Sequence, residues 1–135
     1  KMKIVSIYPN ISYDEKELIK KALGSISIYS MSPMEKEIKN KADKFNLNED
    51  SKIIRQRNIG DHRKTKSIIR YSNTGYELFT SGAPEEIFSM CQNINQNIKD
   101  ELLKETSKGR RVIAVAYKLL NKGEENLDFS EIEKI

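Results

Sequence analysis

Five consecutive residues, Ser81-Gly82-Ala83-Pro84-Glu85, form the part of this chain best suited to lie against a ligand. They follow the apolar run from Tyr76 to Phe79 and open the pattern Glu86-Ile87-Phe88-Ser89-Met90-Cys91. A strand that ends in glycine presents bare backbone, and a proline at the first helical position starts a helix at once, so such a junction commonly floors a small-molecule pocket. Other chemistry is sparse. Gly60-Asp61-His62-Arg63-Lys64-Thr65 lacks the second glycine that a phosphate-binding loop carries before Lys-Thr, and it leads into a strand pattern rather than a helix. There is no Gly-x-Ser-x-Gly elbow, and the single histidine, His62, stands among basic residues as an exposed turn residue would. Cys91 is the only cysteine, has no Cys or His at metal spacing, and reads as a buried, inert thiol. The pattern is that of a binding domain that makes no bonds by itself.

The elements that must position these residues fit one domain. A chain of 135 residues is long enough for a single core. Its hydrophobic share of 37% and charged share of 33% exclude a disordered or membrane-spanning body, since no apolar run approaches the ~18 residues of a span. Lys3 to Tyr8 alternates as a strand and is too short for a signal peptide. The net charge of +4 hides an asymmetry. From Lys52 to Arg70 seven Lys or Arg residues stand against the single Asp61, whereas from Glu124 onward five acids stand against Lys134. The basic stretch would attract phosphate, unless it is simply a solvated strand face.

Asp14 to Leu23 is periodic as a helix, with Leu18, Ile19, Ala22 and Leu23 on one side and Gly24 at its end. Ser32-Pro33-Met34-Glu35 has the form of a capping box with proline at the first helical position, and Met34, Ile38, Ala42 and Phe45 continue as an apolar stripe. Lys52 to Ile59, Lys66 to Ser72 and Tyr76 to Thr80 read as strands, the last two joined as a hairpin through Asn73-Thr74-Gly75. Pro84 to Met90 and Ile98 to Ser107 read as helices. Val112 to Tyr117 is apolar on both faces, which predicts a central strand. No repeat or flexible linker interrupts the order, so the expected class is α+β, an antiparallel or mixed twisted sheet flanked by helices.

Several of these segments share the order of one known family. Ser81-Gly82-Ala83-Pro84-Glu85 with Cys91 resembles the Lys-Gly-Ala-Pro-Glu signature and downstream cysteine of the nucleotide-binding (N) domain of P-type cation-transporting ATPases. Ser32-Pro33-Met34-Glu35-Lys36-Glu37-Ile38 is similar to that family's Asp/His-Pro-x-Glu-x-Ala-Ile/Leu helix start. Ile59 to Ile68 resembles its Phe-x-x-x-Arg-Lys-x-Met-Ser-Val strand, and Gly109 to Ala116 its Gly-x-Arg-Val-Leu-Ala-Val-Ala strand. The resemblance runs from Ser32 to Ala116. The chain lacks the family's Asp-Lys-Thr-Gly-Thr-Leu-Thr phosphorylation motif, after which Lys1-Met2-Lys3 would follow, and so it resembles an excised insert.

The resemblance implies a domain that binds the adenosine end of ATP and presents the γ-phosphate to a separate phosphorylation domain of a membrane pump. The cofactor would be Mg-ATP, with the nucleophilic aspartate and the magnesium ligands outside this chain, and the isolated domain would be inactive. Its partners would be the phosphorylation and actuator domains on the cytoplasmic side, with the membrane reached only through the parent. By position, Glu35 matches the acid that accepts from the adenine amino group, beside its capping role. Ile59 stands where the family stacks a Phe on adenine. Lys64 and Arg111 match cations at the nucleotide, unless they are plain surface charges. Gly82 keeps the signature glycine. Ser81 replaces the pocket lysine and Lys66 replaces a Met, so Lys66 is expected to supply the missing ammonium from across the hairpin. Two alternatives stand beside this: an interaction domain that kept the fold and lost the ligand, and a nucleic-acid-binding module. The latter would need aromatics interleaved with the cations, and there are none from Lys52 to Arg70.

Overall fold

The computed structural model describes residues 14–27, 31–60, 62–92 and 94–134. The strand expected over Lys3 to Tyr8 lies outside them. Helix α1 (Glu15–Gly24) begins where the Asp14 carboxylate accepts the Glu17 N–H at 2.8 Å. Helix α2 (Pro33–Lys44) begins at a complete capping box, with Ser32 Oγ accepting the Glu35 N–H at 3.2 Å and Glu35 Oε1 accepting the Ser32 N–H at 2.9 Å. The apolar stripes of the two helices meet: Ile19, Ala22, Leu23, Ile26, Ile38 and Ala42 form one buried cluster, with Met31, Phe45, Leu47, Ile113 and Val115 packed against it.

This helical layer lies on a four-stranded antiparallel sheet in the order β1 (Lys52–Arg57), β2 (Thr65–Ser72), β3 (Gly75–Gly82), β4 (Ala114–Leu119). The hairpin forms as expected, Ser72 facing Gly75 across Asn73 and Thr74. β3 runs two residues beyond Thr80, because Ser81 and Gly82 find partners in Lys66 and Thr65. β1 is shorter than expected and ends at Arg57, which leaves Ile59 outside the sheet and 62% exposed. β4, expected as a central strand, is bonded among the described residues to β3 alone. It is apolar on both faces because both faces of the sheet are covered. Val115 packs into the helical cluster, while Ala116 is buried and Leu120, just past the strand, joins Ile69, Leu78 and Ile132 in a second core.

That second core is closed by the C-terminal segment, to which the sequence pattern assigns no element. A 3-10 turn (Glu124–Asn126) and the short helix α5 (Phe129–Ile132) carry Phe129 and Ile132 onto the sheet. The remaining helices, α3 (Pro84–Met90) and α4 (Gln96–Ser107), connect β3 to β4, with Pro84 and Ile87 of α3 buried.

Candidate functional site

The register of β2 and β3 brings the first candidates together. Lys66 and Ser81 are direct partners, so a lysine on β2 does face the position where the resembling family carries its lysine on β3. Ser81 is 6% exposed, and the ammonium of Lys66 is not directed at open solvent. It forms an ion pair with Glu35 Oε2, at the first turn of α2, in which the two side chains are 12% and 14% exposed. The capping box fixes the backbone and one oxygen of Glu35, and the ion pair holds the other. Three of the expected residues, Glu35, Lys66 and Ser81, therefore converge at the edge between α2 and the hairpin.

Gly82 has a more local role than the sequence suggests. Its φ is +147°, and a Cβ there would lie 2.2 Å from the Lys64 carbonyl oxygen and 2.8 Å from Thr65 Cα. What glycine admits is the close approach of the Lys64–Thr65 backbone. The Ala83 N–H donates to the same Lys64 carbonyl at 3.2 Å, and the Lys64 N–H donates to Glu86 Oε2 at 3.2 Å. The junction is thus stitched to the segment before β2, and the Lys64 side chain is left exposed beside it. Arg111 is exposed three residues before Ala114, the partner of Gly82. Among the described residues neither Arg111 nor Ile59 makes a hydrogen bond or ion pair with Glu35 or Lys66.

The charge asymmetry of the sequence resolves largely inside the molecule. Arg57 pairs with Glu133 while donating to the Thr65 carbonyl at 2.9 Å, and both members of the pair are 9% exposed. Arg55 donates to the carbonyls of Glu125 and Leu127 at 2.6 and 2.7 Å and covers the Phe129 ring. Arg70 is buried and donates to the carbonyls of Gly24, Ile26 and Ser51 at 2.7, 2.6 and 2.9 Å. Burial pulls its guanidinium below the ordinary arginine value, opposed by Glu49 and Glu77. With Lys66, four of the seven cations between Lys52 and Arg70 are bound within the chain. Cys91 is half-buried rather than fully so, and burial raises its thiol pKa. His62 is exposed in a turn. Among the described residues no three His, Cys, Asp or Glu side chains gather as a metal site, and no helix is long and apolar enough to cross a membrane.

This arrangement of helices on an antiparallel sheet matches a solved structure. The N-domain of HMA8, a copper-transporting P-type ATPase, superposes with a TM-score of 0.54 over 81% of this chain and 85% of that one, at 18% identity. The fold is that of a P-type ATPase N-domain. In sequence, the chain is similar to the probable cation-transporting ATPase 13A4 of Gallus gallus, 37% identical over 84 residues. The aligned part is 60% of this chain and 7% of that protein's length. No protein-family model matches the chain.

Within the N-domain fold, sequence reasoning finds the hairpin and the acid that lies against it, but it misses what occupies that acid. It also misses the buried polar cluster on the opposite face, where the Ser67 hydroxyl donates to Glu133 and lies 2.7 Å from the Thr80 hydroxyl. The signal was that Ser67 and Thr80 share strand faces with the apolar Ile69 and Leu78, since hydroxyls on a covered strand face need partners.

Proposed function

We propose that this chain holds the adenosine end of ATP for a P-type cation-transporting ATPase and leaves the chemistry to other domains. The observation that carries this reading is the convergence of Glu35, Lys66 and Ser81 beside the Gly82 junction, on a sheet with the N-domain fold. The donor set suits a nucleotide. A carboxylate held at a helix start accepts from an amino group and cannot donate, while Lys64 and Arg111, exposed at the near ends of β2 and β4, suit phosphate or ribose oxygens. Ile59 is exposed enough to cover a base face, although an aliphatic side chain forgoes the ~1–3 kcal/mol that aromatic stacking contributes. Weak binding follows.

In this reading the domain positions the γ-phosphate for in-line transfer to an aspartate of the phosphorylation domain, so catalysis rests on placement. The bound magnesium would neutralise phosphate charge, held by groups outside these residues. The parent would be an integral membrane pump with this domain on its cytoplasmic side. Titration of the 15N-labelled chain with millimolar ATP tests the reading. Shifts clustered at Glu35, Lys66, Gly82 and Arg111 are expected, with no turnover; shifts confined elsewhere, or turnover that survives purification, overturn it. The nucleic-acid alternative loses weight because Arg55, Arg57, Lys66 and Arg70 are engaged internally, and salt-dependent oligonucleotide binding without preference for ATP would restore it. The interaction-domain alternative is favoured by one observation, the engagement of Glu35 by Lys66, and a chain that leaves ATP unbound would satisfy it.

A further inference from the structure

Lys66 stands where the resembling family has a Met, and its ammonium has a definite partner. Nζ bonds Glu35 Oε2, in a pair with side chains only 12% and 14% exposed. The other oxygen of that carboxylate accepts the Ser32 N–H at 2.9 Å. Both oxygens of Glu35 are therefore engaged from within the chain.

This bears on which base the site favours. A free carboxylate selects a purine with an amino group at the sixth position, because it accepts but never donates, and it repels a carbonyl oxygen at the same place. An ammonium does the reverse. An adenine amino group reaches Glu35 Oε2 in competition with Lys66, whereas the carbonyl of a 6-oxo purine is met by the ammonium directly. Resting on the nucleotide reading above, we infer that Lys66 sets the base selectivity of this site: by holding Glu35 it erases the preference for adenine over 6-oxo purines. It acts through Glu35, and the backbone register that places Lys66 opposite Ser81 leaves its ammonium beside that carboxylate rather than in solvent.

The test is to measure dissociation constants for ATP and inosine triphosphate by calorimetry, on the wild-type chain and on Lys66→Met, Lys66→Gln and Lys66→Arg. The two nucleotides should bind the wild type within about threefold of each other, while Lys66→Met should favour ATP by about tenfold, the worth of one hydrogen bond to a charged acceptor. Lys66→Arg keeps the pairing and the wild-type ratio. Lys66→Gln, whose uncharged amide still donates, should move the ratio the same way by less, and keeps the test should Lys66→Met fold poorly. A lysine that merely supports the fold would change both affinities together and leave their ratio alone. ATP binding with an unchanged ratio in both neutral variants, or a wild type already selective for ATP, overturns the inference but not the nucleotide site. Absence of binding of either nucleotide to every variant overturns the site itself, and the inference with it.

Discussion

Replacing Gly82 with alanine should be among the most damaging single-atom additions to this chain. Two costs combine. At φ +147° a residue with a Cβ is strained, at roughly 1–3 kcal/mol. The added carbon would also stand 2.2 Å from the Lys64 carbonyl oxygen and 2.8 Å from Thr65 Cα, both backbone atoms that no rotamer change can move. Relief requires separating β3 from the segment before β2, which overpacking data place at about 1–3 kcal/mol. It also strains the Ala83 N–H bond to the same carbonyl, worth about 1 kcal/mol. The expected loss is about 3–7 kcal/mol, a large part of the stability of an ordinary domain. Urea unfolding followed by circular dichroism measures it. Gly75→Ala is the control, because Gly75 also has positive φ, +109°, yet a Cβ there meets nothing within 4 Å. The difference between the two variants isolates the close approach. Equal losses, or a Gly82→Ala loss under about 1 kcal/mol, would refute the reasoning.

Two further predictions concern groups away from the pocket. Glu133→Ala should cost about 3 kcal/mol, because it leaves Arg57 and the Ser67 hydroxyl facing an emptied, largely dry site, while replacing Arg57 and Glu133 together with apolar residues should cost less than either single change; strictly additive losses in denaturant titrations would contradict this. Burial raises the Cys91 thiol pKa, so its thiolate fraction at about pH 8 is smaller than that of a free cysteine; its disulfide-exchange rate with a chromogenic reagent should start low and keep climbing with alkali, and a rate already level at that pH would count against the assignment.

What could be read from the sequence was the local part of the design. The start of α2 is legible because Ser32, Pro33 and Glu35 state their roles within four residues, and the hairpin is legible because Asn73-Thr74-Gly75 fixes its register. From that register the meeting of Lys66 with Ser81 follows. The pairing of Lys66 with Glu35 does not, since it spans 31 positions and depends on how α2 lies on the sheet. The same limit explains the C-terminal segment. Phe129 and Ile132 are too few to form a periodic pattern, and the contacts that bring this segment to Arg55 and Arg57 span 70 positions or more. The basic stretch meets the C-terminal segment through the Arg57–Glu133 ion pair and through Arg55 on backbone carbonyls, contacts that a local pattern cannot show. The apolar faces of β4 report coverage by layers on both sides of the sheet, not the number of neighbouring strands.

Neighbouring positions 66 and 67 of β2 are gripped from opposite sides: Lys66 by Glu35 of the helical layer, and Ser67 by Glu133 of the C-terminal segment. The strand is riveted there through the full thickness of the domain. A force or a fluctuation that peels away either layer must first break a carboxylate contact at this point, so the amides around it should exchange with solvent on the timescale of global unfolding rather than of local fraying. This end of β2 would then behave as an anvil, with motion left to the exposed cations around it.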